Sequence, residues 1–388
     1  MNYLILTYIV AALVALLLSI KAYLKIKHPF WSQQPVFHFY NLWYRLKPPG
    51  VIDRTLPDMS RFVDLLSVQF SIINDVPSST LDRFIGFVRS NYLRSNDCNY
   101  TPNKNQVMPY FSGHRFKSFL SLYQSLENGN ILGAMTTRPV YLTHKNRLRS
   151  VYYVDYLCVK RSHRKKDIAP TVIQTHHYQQ RRQEPSIHVS MFKREGSLTS
   201  IVPLCVYNTR TFEIRDILKD WNTPNLSDYR ITQVTSNLSI FDQIFASEKH
   251  RFDYFIESDL INLNHLIDTK NIFVFCLHAA NHTIGLLFFR DLKCKYRDGN
   301  SFSLFASLGN MYPEAMAWGA MESLKILTNK SKSLQYICIE EIGDTQNWLE
   351  LAVGKTGVRD ILPPSPTAYY MYNYAAKTIE SNKATIIL

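Results

Sequence analysis

The sequence predicts an α/β protein of two related halves, preceded by one membrane-spanning helix. Three observations carry that expectation. Apolar runs of strand length alternate with segments of helical period over residues 130–192, and the same order returns over 271–340 without sequence similarity. Ahead of both lies a charge-free apolar run long enough to cross a bilayer. The 388 residues suffice for one large or two ordinary domains, and 46% hydrophobic with 13% aromatic content indicates a globular chain. Net charge is +13, from 44 basic and 31 acidic residues, which favours a nucleic acid, an anionic membrane surface or a phosphorylated ligand without choosing among them. The 6 cysteines are scattered, with no C-x-x-C spacing, and read as small core residues of a reducing compartment.

The elements follow in order. Tyr3 through Ile20 is eighteen residues without a charge, roughly 27 Å as a helix. A cleaved signal peptide is the competitor, but no basic residue precedes the run and no small-x-small site follows it. Lys21, Lys25 and Lys27 come immediately after, which predicts a single-pass anchor with the remainder facing the cytosol. Residues 62–70 and 81–92 read as helices by apolar spacing. Residues 130–143 and 150–159 read as antiparallel strands around a polar hairpin at 143–149. A helix over 171–180 and a strand over 187–192 complete the first half. The second half reads as strands at 271–278, 283–290 and 302–308, a helix over 313–329, a strand at 334–340 and a last strand at 368–374.

The chemistry concentrates at residues 150–173. An apolar, β-branched strand broken only by Asp155 runs into Lys160–Lys166, six basic side chains in seven residues with His163 counted. Ala169 and Pro170 then open a helix, where a missing N–H costs nothing. Strand, basic turn and helix start together make an anion site, while a solvated basic loop is the plain alternative. The matching turn of the second half, residues 309–314, holds no basic residue, so one polyphosphate per chain is expected. Other signals fail. Gly354-Lys355-Thr356 lacks the first glycine of a phosphate loop, His278 and His282 have the spacing of a zincin without its Glu, and His176-His177 reads as a solvated pair on a helix.

The residues VDYLCVKRSHRKKDIAP resemble the acyl-CoA-binding strand–turn–helix of N-myristoyltransferases, E-I-N-F-L-C-V-H-K-K-L-R-S-K-R-L-A-P, with Leu157, Cys158, Val159, Arg164, Lys166, Ala169 and Pro170 in register. Tyr156 replaces the family's Phe, Asp155 its Asn and Lys160 its His. HPFWSQQPV resembles the family's F-W-x-T-Q-P-V at Phe30, Trp31, Gln34, Pro35 and Val36. Cys205-Val206-Tyr207 is similar to its C-R-Y, with Thr209 where a His is expected, and AYYMYNY to its Q-Y-Y-L-Y-N-W. There are departures. Asn91-Tyr92-Leu93 is followed by Arg94-Ser95-Asn96-Asp97 where the family carries several acids, and K-F-G-x-G-D-G survives only as Gly354 and Gly357.

The resemblance implies two acetyltransferase-like (GNAT-type) halves, with residues 1–27 as anchor and basic flank, 28–210 as the acyl-CoA-binding half and 211–388 as the peptide-binding half whose tail returns to the active site. It implies transfer of a myristoyl or similar long acyl group from acyl-CoA to the N-terminal glycine of a protein. Myristoyl-CoA is then a co-substrate, with no permanent cofactor and no metal. Its binding residues would be Pro29, Phe30, Trp31, Tyr156, Leu157, Cys158, Val159, Arg164, Lys165, Lys166, Asp167, Ile168 and Ala169. The backbone N–H groups of Tyr156 and Leu157 would form the oxyanion hole, and the terminal carboxylate of Leu388 would be the base. The apolar ending Ala384-Thr385-Ile386-Ile387-Leu388 fits a docked tail, and burial would raise a carboxylate's pKa toward that task. Two rivals remain: an inactive relative with a structural role at a membrane, and a basic nucleic-acid binder.

Overall fold

The computed structural model describes residues 3–27, 29–92, 98–219, 228–235, 238–280, 282–296, 299–309 and 311–388. The departures at Arg94 to Asp97 therefore lie outside the described residues. The N-terminal run forms α1 (Tyr3–Lys27), about 38 Å long and unburied along its apolar length. The first half comprises β1 (Val68–Ile72), α2 (Ser78–Asn91), β2 (Phe119–Gln124), β3 (Ile131–His144), β4 (Arg147–Val159), α3 (Ile168–Gln183) and β5 (Ser190–Glu195). β6 (Cys205–Glu213) crosses to the second half: β7 (Tyr229–Gln233), α4 (Leu238–Glu248), β8 (Tyr254–Glu257), α5 (Leu260–Asp268), β9 (Ile272–Ala279), β10 (His282–Tyr296), β11 (Gly299–Leu308), α6 (Pro313–Lys330), β12 (Leu334–Glu340) and α7 (Thr345–Thr356). The tail, β13 (Ser365–Tyr372) and β14 (Ala384–Ile387), returns to the first half.

One large sheet runs through both halves, in the order β14-β8-β3-β4-β5-β13-β6-β12-β11-β10-β9-β7, and Gly50–Val51 pairs separately with Tyr374–Ala375. β3 is long enough to serve two neighbours. It pairs with β2 between Ile131 and Thr137 and with β8 between Tyr141 and His144. The hairpin to β4 turns on Lys145 and Asn146, both left-handed, as a two-residue turn compatible with strand twist requires. The expected boundary at residue 210 falls inside β6, which hydrogen-bonds to β13 on one side and β12 on the other.

The helices pack as their spacing dictates. In α2, Leu81, Phe84, Ile85 and Val88 make one apolar stripe, buried against Leu120, Leu122 and Ala134 of the sheet. In α6, Ala317, Ala320, Met321, Leu324 and Leu327 bury against β9–β12. Residues 62–70 depart from the expected helix: a turn leads into β1. The Asp64 carboxylate accepts from the backbone N–H groups of Leu66 and Ser67 at 3.0 and 2.9 Å, a local closure that competes with helical bonds.

Candidate active site

The site begins at a defect in the β3–β4 ladder. Ala134 faces Cys158 and Thr136 faces Asp155, so Met135 alone opposes both Tyr156 and Leu157. This is a β-bulge, which takes backbone groups out of the ladder and re-aims the chain. Tyr156 adopts φ +48°, a left-handed conformation costing a bulky residue roughly 1–2 kcal/mol. Its ring is held by an aromatic cage of Phe84, Tyr92, Tyr100 and Phe111, and its hydroxyl lies 3.0 Å from that of Tyr100. Leu157, by contrast, is exposed at the cleft.

Just before the bulge, β4 and β5 separate. These parallel strands pair only at Tyr152 with Ser190 and Tyr153 with Met191, while β5 stays zipped to β13 over its whole length. The gap opens on a cleft of about 1410 Å³ running from the basic turn to the second half. Left-handed residues at Lys165 and Asp167 carry the turn into the N-terminus of α3, the backbone arrangement that suits a phosphate. Arg164 ties the turn down through the carbonyls of Val159 and Asn91, at 3.4 and 3.3 Å.

The expected residues divide by place. Trp31, Tyr156, Leu157, Cys158, Val159, Arg164, Lys165, Asp167, Ile168 and Ala169 line the cleft. Phe30 is buried behind the turn against Val159, Ile168 and Val172. Pro29 accepts side-chain hydrogen bonds from Ser32 and Gln33, and Lys166 is solvent-exposed. Pro170 falls in the first turn of α3, as expected.

The far wall carries buried charge. Arg138 donates Nε to Asp155 at 2.9 Å and Nη1 to Ser258 at 3.1 Å. Burial raises the Asp155 carboxyl above its ordinary value, against the pull of Arg138. Desolvation works against the Lys193 ammonium, yet Glu340 at 2.9 Å and Glu195 at 3.2 Å outweigh it and raise its pKa. Tyr207 donates to the other oxygen of Glu340. Arg290, on β10, stacks its guanidinium 4.3 Å from the Phe305 centroid and donates Nη2 to the terminal oxygen of Leu388. Arg138 and Arg290 both face the ring of Tyr110, at 5.4 and 5.9 Å. Leu388 itself is only 3% exposed. β14 lies parallel to β8, and the Ile387 carbonyl accepts from Ser258 N–H at 3.1 Å. The chain end thus reaches a guanidinium that forms part of the cleft wall.

One reading needs amendment. His176 and His177 are buried, not solvated. The face of α3 packed on β2 and β3 puts His176 between the hydroxyls of Ser121 and Thr137, at 2.8 and 2.9 Å, and burial drives both imidazoles down to about 3. His177 packs edge-on against Tyr372 and lines the cleft. Gly354 sits inside α7, with Gly357 capping it at φ +64°, so the two glycines that survive of K-F-G-x-G-D-G belong to a helix and its end. Arg290 and Arg138 were missed because isolated arginines on apolar strands carry no local signal.

The sheet, splayed once beside a bulge, a basic turn and a helix start, defines a mixed α/β fold with its cleft at that splay point. The particular fold is that of N-myristoyltransferase. The Saccharomyces cerevisiae enzyme with bound myristoyl-CoA superposes with TM-score 0.69 at 15% identity, covering 91% of this chain and 94% of that one. The same enzyme with myristoyl-CoA and inhibitors gives TM-score 0.73 at 14% identity, covering 94% and 95%. No protein-family model matches the sequence, and no curated protein matches it.

Proposed function

We propose that this protein moves a myristoyl or similar long acyl group from acyl-CoA to the N-terminal glycine amine of a protein acceptor. The observation that carries the reading is the bulge at Tyr156 and Leu157, which leads directly into the basic turn and opens on the same cleft as Arg290, the guanidinium that holds the chain end. The yeast enzyme of like fold binds myristoyl-CoA.

In this reading the CoA phosphates rest on Arg164, Lys165 and the N-terminal N–H groups of α3, and Trp31 flanks the path of the thioester arm. The Leu388 carboxylate, held by Arg290, takes a proton from the glycine ammonium. The freed amine attacks the thioester carbon, and the negative charge that develops on its oxygen is met by the N–H groups of Tyr156 and Leu157. Collapse breaks the C–S bond, and the second amine proton leaves with the thiolate as free CoA. Every donor in the chemical step except Arg290 is backbone, so replacement of Phe by Tyr at 156 is tolerated. The helix Tyr3–Lys27 anchors the protein, with Lys21, Lys25 and Lys27 on the cytosolic side together with the catalytic part.

A second reading, an acyl-CoA-binding relative that no longer transfers, is favoured by the broken K-F-G-x-G-D-G, whose two remaining glycines lie in and at the end of helix α7, and by Thr209 in place of His. One experiment separates them. The full-length protein is given myristoyl-CoA and glycine-starting peptides, beside a version extended by several residues past Leu388. Transfer by the native chain, with a loss of roughly 10²–10⁴-fold on extension, is the expected outcome for a general base. Equal rates would remove Leu388 from the chemistry. Binding of myristoyl-CoA without transfer to any peptide would select the second reading.

A further inference from the structure

Shortly after α1 the chain turns an apolar face outward. In the one-turn helix Leu42–Leu46, Tyr44 faces inward, its ring 5.7 Å from that of buried Phe37. Leu42, Trp43 and Leu46 share the opposite side by helical spacing. All three stand in solvent, Trp43 at 64% and Leu46 at 80% exposure. A second apolar tip, Leu65 and Leu66, leaves from Phe62, whose ring packs edge-on to Phe30 at 5.2 Å, three residues beyond the end of α1. This second tip therefore sits near the base of α1, while Leu42–Leu46 follows α1 closely in the chain.

The charge around them has one sign. Lys21, Lys25, Lys27, Arg45 and Lys47 are exposed, and no acidic residue precedes Asp53 in the sequence. The Lys47 ammonium lies 5.0 Å from the Trp43 ring centroid. An outward tryptophan between leucines, ringed by lysine and arginine, is the composition of a segment lying at headgroup depth, where an amphipathic ring and snorkelling cations are both satisfied. Left in water, the same face is an exposed apolar patch with nothing to gain from its exposure.

We propose that the turn Leu42–Leu46 rests in the headgroup layer of an anionic bilayer, as a second membrane contact beside α1. The inference rests on α1 spanning that membrane. A single turn binds lipid weakly alone, but tethering by α1 raises its local concentration at the surface. The consequence concerns the cleft. Trp31, four residues past α1, lines it, so its rim is held at the bilayer surface, where an acyl chain can pass without crossing bulk water.

The test uses the full-length protein in vesicles of phosphatidylcholine with one-third phosphatidylserine, carrying an environment-sensitive dye on Leu46→Cys. A dye on Met311→Cys, at an exposed site of the second half, is the reference. Expected are a blue-shifted emission at 46 and at least threefold stronger quenching by headgroup nitroxides at 46 than at 311, with the protein resisting alkaline carbonate. In pure phosphatidylcholine the quenching at 46 falls. A dye at 46 as solvated as that at 311, on protein that carbonate does not release, overturns the inference and leaves the anchor. Release by carbonate with the dye at 46 still shielded beforehand overturns the span and leaves the surface contact; release with a solvated dye overturns both. Equal shielding in both lipid mixtures overturns the anionic preference.

Discussion

The two halves build the same strand–turn–helix and finish it in opposite ways. In the first half, β4 and β5 share two residue pairs and part, the turn is basic, and the N-terminus of α3 faces an open cleft. In the second, β11 and β12 pair from Asn300 to Leu304, and the turn before α6 is closed by the protein itself. The Asp344 carboxylate accepts the Gly309 N–H at 2.8 Å and binds Arg251 through both oxygens. Gly309 sits at φ +131°, where an added Cβ would meet the Ile284 carbonyl at 2.8 Å. One half leaves its basic turn and helix start open to the cleft. The other has filled the corresponding place with a side chain of its own.

The largest expected effect comes from opening the closed half. Asp344→Ala leaves the partly exposed Arg251 with Glu248 alone and orphans the buried Gly309 N–H. A buried donor left without its acceptor costs about 1–3 kcal/mol, and the lost charge-assisted bonds to Arg251 add to that. Urea unfolding should show a loss of that size, with acyl-CoA affinity per folded molecule unchanged. A variant of wild-type stability would mean that the carboxylate is not what closes the second turn.

Acid separates the halves next. The buried histidines among the described residues, His38, His176 and His177, all belong to the first half. Burial lowers the folded-state values of His176 and His177 to about 3, below the unfolded 6.5. The unfolded chain therefore binds more protons between those values. The stability due to neutral imidazole is fully present above about pH 6.5 and is lost as pH falls toward 3. At pH 5 the loss is about 2 kcal/mol for each histidine. His176→Gln should flatten the acid limb of stability measured between pH 7.5 and 5, and an unchanged slope would show that some other group sets it.

What the sequence disclosed follows the same division. The first half's site is contiguous: strand, bulge, basic turn and helix start lie within about thirty residues, so their chemistry could be read together. The second half's closure joins Gly309 to Asp344 and Arg251, and the chain end joins Leu388 to Arg290, pairings that exist only once the sheet has formed. His176 and His177 were misread for a related reason. Two polar residues on a helix look solvated until Ser121 and Thr137 arrive from other strands to satisfy His176 and the ring of Tyr372 packs on His177. The turn at 62–67 was hidden by Asp64, whose closure with Ser67 overrides an apolar spacing that suits a helix.

The open half can be weakened without unfolding it. Arg164→Ala and Lys165→Ala remove charge that a phosphate would meet; Lys165 stands in solvent, while Arg164 also holds the carbonyls of Val159 and Asn91, so its loss loosens the turn as well. A hydrogen bond to a charged group is worth about 1.5–3 kcal/mol, so each should weaken myristoyl-CoA binding at least tenfold, with a shallower salt dependence. Placing a lysine in the second turn, as Met311→Lys, should add no CoA site, because Asp344 already occupies the backbone donor there. Titration calorimetry that found a second site in that variant would show the closed half to be merely uncharged.

The smallest effect tests what holds the bulge. Tyr156 keeps its left-handed backbone because its ring is caged, and the hydroxyl bond to Tyr100 is one part of that cage. Tyr100→Phe removes the bond and leaves the ring packing, which should cost about 1 kcal/mol of stability. If aromatic packing sets the bulge, the Tyr156 and Leu157 N–H groups stay in place, and the rate of acyl transfer at saturating substrate should change less than threefold. A fall of a hundredfold with stability otherwise intact would mean that the hydroxyl pair, and not the ring, aims the backbone.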